Sequence, residues 1–207
     1  MTITYTVADI TGMILAGGRG SRMGHVDKGL QPFRGSTMAT HVLQRLEPQV
    51  GALAINANQN GDAYAAFGVP VWSDDLEGFE GPLAGLETGL RRCATSLLAT
   101  APCDSPFLPA DLVARLLAAL LDEQADLALA ETEEAGSDGA LRVQPQPVFA
   151  LVKTSALPEL SAYLASGGRR MDGWYKDIRV ARVRFDDASA FRNINTLQEL
   201  QDYDTDS

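Results

Sequence analysis

A three-layer α/β fold, with a mostly parallel sheet covered by helices on both faces, is what this sequence predicts. Three observations predict it. Short apolar runs alternate with segments of helical periodicity along most of the chain. Gly17, Asn56, Asp74 and Asp104 each directly follow an apolar run, so four strands would bring polar groups to one edge of the sheet. No internal repeat or linker divides the 207 residues, so the chain reads as one domain over 1–207.

The elements follow in order. Residues 11–16 form a buried strand, in which Met13-Ile14-Leu15-Ala16 stops at a double glycine. From 36 to 47, Met38, Val42, Leu43 and Leu46 recur at helical spacing. Ala52-Leu53-Ala54-Ile55 is a second strand, ending at Asn56, and Val69-Pro70-Val71-Trp72 a third, ending near Asp74. Pro82 suits the first turn of a helix carrying Leu83, Leu86 and Leu90. Ser96 to Thr100 is another apolar strand, closed by Pro102. Pro109 opens a helix with Leu112, Leu116, Leu117 and Leu120, and Leu127-Ala128-Leu129-Ala130 is again a strand. Residues 131–146 hold four carboxylates, two glycines and Gln-Pro-Gln-Pro, and read as an exposed, mobile connection. A strand over 147–152, helices around 155–165 and 168–175, and a strand over 178–185 follow. Thr196 caps a last helix, with Glu199 at the capping-box position. The tail from Asp202 to Ser207 reads as frayed.

Composition narrows the function. A hydrophobic fraction of 45% suffices for a proper core. The net charge of −10 argues against a general nucleic-acid binder, which would show a basic face. Cys93 and Cys103, with only two histidines and no paired spacing, make no zinc site. No apolar run approaches membrane-spanning length and no charged-then-apolar leader opens the chain, so a cytoplasmic protein with reduced thiols is expected.

The most informative stretch follows the first strand. Gly17, Gly18, Gly20 and Gly24 are interleaved with Arg19, Arg22 and Lys28. Glycines let backbone N–H groups approach phosphate oxygens closely, and the cations offset their charge. The alternative is a glycine-rich turn with surface cations, but a surface turn rarely needs so many special residues. The spacing is not that of the usual ATPase loop, because Lys28 is followed by Gly29 rather than by a hydroxyl residue. Nor is it a dinucleotide fingerprint. Gly18 and Gly20 have the first interval, but the third position is Met23, and Glu47 lies too far on to serve the ribose.

Leu15-Ala16-Gly17-Gly18-x-x-x-Arg22-Met23-Gly24-x-x-Asp27-Lys28 resembles the signature of the sugar-nucleotide pyrophosphorylase-like nucleotidyltransferases. Its Met-Gly-x-x-Asp-Lys ending is most similar to the molybdenum cofactor guanylyltransferases. Further blocks match in the family's order: Ile55-Asn56-Ala57-Asn58, Gly81-Pro82-Leu83-Ala84-Gly85, Pro102-Cys103-Asp104-Ser105-Pro106, Gln146-Pro147-Val148-Phe149-Ala150-Leu151 and Asn193-Ile194-Asn195-Thr196. The resemblance covers nearly the whole chain. It implies a Rossmann-like nucleotidyltransferase fold, with a nucleotide-binding half at about 11–107 and an acceptor-binding half at about 108–200. It also implies magnesium-dependent transfer of GMP from GTP to molybdenum-molybdopterin, with release of pyrophosphate. Contact with molybdoenzymes or their chaperones is implied as well. A cytidylyltransferase for the same cofactor, a sugar- or polyol-phosphate nucleotidyltransferase, and a non-catalytic cofactor-binding or delivery protein are the alternatives.

Nucleotidyl transfer needs an acceptor oxygen in line with the α-phosphorus and charge neutralised on the departing pyrophosphate. The resemblance assigns the magnesium ligand to Asp104; read from the residues alone, an Asp in a turn between Pro102 and Pro106 is also common. Arg22 and Lys28 would bind the triphosphate and steady pyrophosphate. Leu15, Ala16, Gly17 and Gly18 would meet the nucleotide through backbone groups. Asn56 would recognise the base or sugar, against the reading of a strand-terminal Asx turn. Asp74 would contact the nucleotide, with Asp75 one residue away as the rival. Gly81, before the Pro82 helix, would stand beside the site. Asn193 and Asn195 fall on the acceptor side. Arg169 and Arg170 are candidates for the acceptor's phosphate, or are simply a solvated basic pair. Cys103 is not expected to be a nucleophile, and His41 is read as structural.

Overall fold

A computed structural model of the chain describes residues 4–16, 26–75, 81–136, 138–196 and 198–200. Strand β1 (Ile10–Leu15) is followed by a small hairpin of β2 (Pro32–Phe33) and β3 (Ser36–Thr37), and then by helix α1 (Met38–Leu46). Next come β4 (Ala52–Asn56), the short α2 (Gly61–Ala65), β5 (Val71–Trp72), α3 (Pro82–Arg92) and β6 (Leu97–Pro102). The second half holds α4 (Leu112–Asp122), β7 (Leu127–Ala135), β8 (Leu141–Lys153), α5 (Leu157–Ala165), α6 (Met171–Trp174) and β9 (Val180–Phe185).

Seven strands form one sheet in the order β5-β4-β1-β6-β8-β7-β9. Pairing is parallel for β5 with β4, β4 with β1, β1 with β6 and β7 with β9, so the expected mostly parallel α/β sheet is present. Among these strands β8 alone runs opposite, antiparallel to both β6 and β7.

Side chains alternate across the strands with a period of two, and this sorts the core into two layers. Ile10 and Ile14 of β1 pack with Val42 and Leu46 of α1 and with Leu112 and Leu116 of α4. Met13 points to the other face, with Leu86 and Leu90 of α3, Leu160 and Leu164 of α5, and Trp174 of α6. The buried, mostly apolar run of β1 is what a parallel strand covered on both faces requires. Among the described residues no helix is long and apolar enough to cross a membrane.

The segment 131–146 is not a mobile connection. Most of it is a hairpin in which β7 and β8 pair as far as Ala135 with Leu141. Its carboxylates are cross-strand partners rather than loop solvation. Glu131 binds Arg182 of β9, and Glu133 binds Arg184 at 2.8 Å. Gln146 donates its amide to the Thr132 hydroxyl across the hairpin at 3.0 Å. Such charged and polar pairs stabilise neighbouring strands, and they make a composition that reads as loop compatible with a sheet.

Smaller departures lie at element ends. The hairpin of β2 and β3 and the helix α2 have no counterpart in the sequence reading. The helix expected from Pro109 begins at Leu112, and the helix expected over 168–175 is the single turn α6. At the far end the cap is formed. The Glu199 carboxylate accepts from the backbone N–H of Thr196 at 3.0 Å, while the Thr196 hydroxyl accepts from the N–H of Glu199 at 3.1 Å. The tail from Asp202 lies outside the described residues.

Helix α4 takes its cap from a distant residue. The Asp111 side chain makes no capping bond. Instead the buried Gln49 accepts from the Val113 N–H at 3.0 Å and donates to the carbonyls of Arg45 and Pro109 at 2.8 and 3.0 Å. An apolar side chain of the same length would strand the Val113 N–H and remove a donor from each carbonyl. Gln49→Met should therefore lower stability by about 1–3 kcal/mol, read as a shift in the urea midpoint at unchanged slope.

Candidate active site

The three parallel strands at the centre end side by side and set the floor of the site. Beyond the ends of the strands the backbone continues the pairing: Ala16 N–H donates to Asn56 O at 2.8 Å, and Cys103 N–H to Leu15 O at 3.1 Å. The residues following β1, β4 and β6 are thereby held at one edge of the sheet, where α/β sheets bind ligands. Leu15 and Ala16 stand at this edge. Gly17, Gly18 and Arg22 lie outside the described residues.

Lys28, Asp104 and Asn195 converge there although far apart in sequence. The Lys28 ammonium donates to Asp104 Oδ2 at 2.9 Å and to Asn195 Oδ1 at 2.5 Å. The Lys28 side chain is 21% exposed and that of Asp104 10%, so the pair is sheltered but open to a ligand on one side. The segment with Asn193 and Asn195 docks on the loop after β6. Ile194 N–H donates to Asp104 O at 2.9 Å, and the Ser105 hydroxyl to Asn193 Oδ1 at 2.5 Å. Removing one partner of a sheltered ion pair leaves the other uncompensated, which costs about 3–5 kcal/mol where burial is complete and less here.

A second group lies at the ends of β4 and β5. Asn56 is buried, and its amide donates to Trp72 O at 2.9 Å and to Asp74 Oδ1 at 2.8 Å. Asn58 and Asp74 bond reciprocally, with the Asn58 amide reaching Asp74 Oδ2 at 2.7 Å and the Asp74 N–H reaching Asn58 Oδ1 at 2.8 Å. Both N–H groups of the Asn56 amide are thus engaged within the fold, and their effect is to orient the Asp74 carboxylate. Asp75 turns away and pairs with Arg92 at the far end of α3, so the two neighbouring aspartates are spatially separated.

Helix α3 brings its first turn against this edge because Gly85 lacks a side chain. A Cβ there would lie 2.3 Å from Asn56 Oδ1 and 2.9 Å from Leu15 Cδ2. Gly81 is the N-cap residue, at φ 124°, and has no side chain with which to cap the helix. Pro82 has no N–H, and the next N–H groups of α3, from Leu83 on, point toward this edge as groups an anion can meet.

Arg169 and Arg170 do not join the Lys28 cluster. Arg169 donates to the carbonyls of Leu164 and Gly168 at 3.1 and 2.7 Å, which ties down the turn after α5. Arg170 makes a two-bond pair with Asp172, both bonds 2.9 Å, on the surface. It borders an open groove of about 420 Å³ shared with Pro147, Tyr175 and Arg182.

Cys103 is buried beside Asp104. Burial above all, and then the negative charge of Asp104 and Asp27, pushes its thiol well above the ordinary range. His41 serves the fold, donating from Nε2 to Phe33 O at 2.8 Å and packing edge-on against the Phe33 ring. The sequence reading gave no individual role to Ser105, Asn58, Asp27, Asn60 or Tyr64. Ser105, Asn58 and Asp27 sit inside the quoted blocks, where adjacency to Asp104, Asn56 and Lys28 was the available signal. Asn60 and Tyr64 carried none.

Comparison with known proteins places relatives beside this chain along nearly its whole length. The MobA-like NTP transferase domain matches residues 12–179. The molybdenum cofactor guanylyltransferase of Cupriavidus necator is 59% identical over 197 residues, spanning 95% of this chain and 97% of that protein. Its counterpart in Cupriavidus taiwanensis is 58% identical over 193 residues, spanning 93% and 95%. The crystal structure of molybdopterin-guanine dinucleotide biosynthesis protein A from Archaeoglobus fulgidus superposes with a TM-score of 0.74 at 21% identity, covering 94% of this chain and 97% of that one. At that identity the likeness concerns the fold.

The thiolate is the reactive form of cysteine, and the raised Cys103 thiol holds little of it at mildly alkaline pH. Iodoacetamide at pH 8.5 should leave Cys103 unmodified in the folded protein and alkylate it fully after unfolding, as read by peptide mass mapping.

Proposed function

The chain belongs to the MobA-like NTP transferase family, and on that premise we propose that it transfers GMP from GTP to molybdenum-molybdopterin, releasing pyrophosphate and forming the guanine dinucleotide cofactor. The observation that carries this reading is the meeting of Lys28, Asp104 and Asn195 at the carboxyl edge of the sheet, in a chain whose relatives carry that activity in their names.

The terminal phosphate of the acceptor is mostly dianionic near neutral pH. Its oxygen attacks the α-phosphorus of GTP. The bond from that phosphorus to the bridging oxygen breaks, and pyrophosphate departs with the electron pair. No general base is required, so the protein's work is alignment and charge neutralisation. Lys28 would leave Asp104 for the triphosphate, and Lys28 and Arg22 would then steady the pyrophosphate. Asn195 accepts from the same ammonium and limits where it can travel. The uncapped start of α3 offers N–H groups to phosphate, and Asp74 offers a fixed acceptor to the nucleoside.

The reading extends to magnesium. Among the described residues no group of three or more His, Cys, Asp or Glu side chains forms a cage. Asp104 instead presents a single sheltered carboxylate that already has a cation against it. Magnesium is commonly held by one or two carboxylates together with substrate phosphates, which this donor set fits. Bound at Asp104, the ion would neutralise charge on the phosphate oxygens.

Purified protein incubated with magnesium, molybdenum-molybdopterin and each nucleoside triphosphate in turn should release pyrophosphate with GTP and only when the pterin is present. Release with CTP instead would change the product assigned. Asp104→Ala should lower kcat/KM by at least about 100-fold while the far-UV circular dichroism stays that of the native chain; full activity in that variant would remove Asp104 from the mechanism.

A further inference from the structure

We propose that Asp27, held by Asn60 and the buried Tyr64, is the positioning residue that aims Lys28 at the phosphate site, so that α2 and its approach act as a remote support for the transfer step. This rests on the function proposed above and names a device within the same site.

Asp27 precedes Lys28, yet its side chain runs the opposite way. Its Oδ1 accepts from the Tyr64 hydroxyl at 2.6 Å and from the Gly29 N–H at 3.1 Å, and its Oδ2 accepts from the Asn60 amide at 2.9 Å. Its carbonyl accepts from the Gln31 amide at 3.0 Å. Both carboxylate oxygens and the adjacent backbone are thus tied to α2 and to the turn at Gly29. Lys28, the next residue, projects to Asp104 and Asn195. Fixing the residues on either side of a lysine limits the volume its ammonium can sweep, and alignment of that kind governs rate in positional catalysis.

Tyr64 packs in the core against Phe67, and both supports direct their polar groups to Asp27. Tyr64 is fully buried, and a buried tyrosine hydroxyl needs a partner. Its partner is Asp27, which keeps it a donor: burial above all, followed by its acidic neighbours, raises the phenol far above its ordinary range. Asn60 stands at the N-cap of α2 in the left-handed region, at φ 54°, and makes no cap bond with its side chain. Its Oδ1, the atom that would accept a capping bond, makes none, while its amide nitrogen donates to Asp27 Oδ2. Gly29 completes the fit, since a Cβ there would lie 2.4 Å from the Tyr64 hydroxyl and 3.1 Å from Cys103 Cβ.

Two variants separate positioning from stability. Asn60→Gly suits the left-handed backbone and loses only the amide, so its Tm should stay within about 3 °C of the parent. Its kcat/KM should nonetheless fall by about 10- to 100-fold. Tyr64→Phe keeps the buried ring and should give a fall of the same order. Combined with Lys28→Met, either substitution should add no further loss, because both act through the lysine. Faster amide exchange over residues 26–31 in Asn60→Gly and Tyr64→Phe should accompany the loss, a readout that does not depend on turnover. Parental kcat/KM in Asn60→Gly, effects additive with Lys28→Met, or unaltered exchange over 26–31 would each overturn the proposal. Altered exchange in a protein that turns over no triphosphate would uphold the anchor and overturn the assigned reaction instead.

Discussion

Strand β1 lies hydrogen-bonded between β4 and β6 along its whole length, from Thr11 opposite Ala52 to Leu15 opposite Asn56 on one side, and from Ile10 opposite Leu97 to Leu15 opposite Pro102 on the other. Parallel pairing of this kind has two consequences. It must be covered on both faces, which demands the α1/α4 layer and the α3/α5 layer. It also brings every strand's carboxyl end to one edge. The Lys28 cluster, the Asp74 cluster and the start of α3 are all located by where these three strands stop.

The two clusters differ in how they are built. Asp74 is oriented from the adjacent strand, through Asn56 and Asn58. Lys28 and Asp104 draw on residues from opposite ends of the chain, since Asn195 and Asn193 close over the loop after β6. The C-terminal segment therefore stands at the same sheet edge as Lys28 and Asp104. Its own Thr196–Glu199 cap fixes where Asn195 stands, because the Glu199 carboxylate also accepts from the Asn195 N–H at 2.7 Å.

Much of the fold was legible because apolar runs and their polar stops carry it. β1, β4, β6 and the helix after Pro82 follow directly from period and punctuation. The β7–β8 hairpin was not legible, because its strands are solvated and held by Glu131, Glu133, Arg182 and Arg184, whose pairing depends on a third strand about 50 residues away. Lys28, Asp104, Asn193 and Asn195 could be named from motifs. That the Asn56 amide faces Asp74, or that Tyr64 reaches Asp27, could not, since those contacts are set by how α2 and β5 settle on the sheet. Arg169 and Arg170 stand out in sequence as a basic pair, and their bonds to Leu164, Gly168 and Asp172 could not be read there.

The reversed strand has a mechanical meaning. β6 and β8 pair only from Leu97 with Lys153 to Thr100 with Ala150, after which β6 runs on to Pro102 and β8 diverges toward Leu141. The Thr100 hydroxyl, donating to Val148 O at 2.7 Å, is the last stitch before the strands part. The sheet is thus forked beside Asp104, like a seam left open at one end. Backbone ladders border the opening on both prongs: β6 is paired with β1 on one, and β8 with β7, itself paired with β9, on the other. On the reaction proposed above, the β7–β8 ribbon is the part of this edge that can vary with the acceptor while the strands that lead to Asn56 and Asp104 keep their ladders.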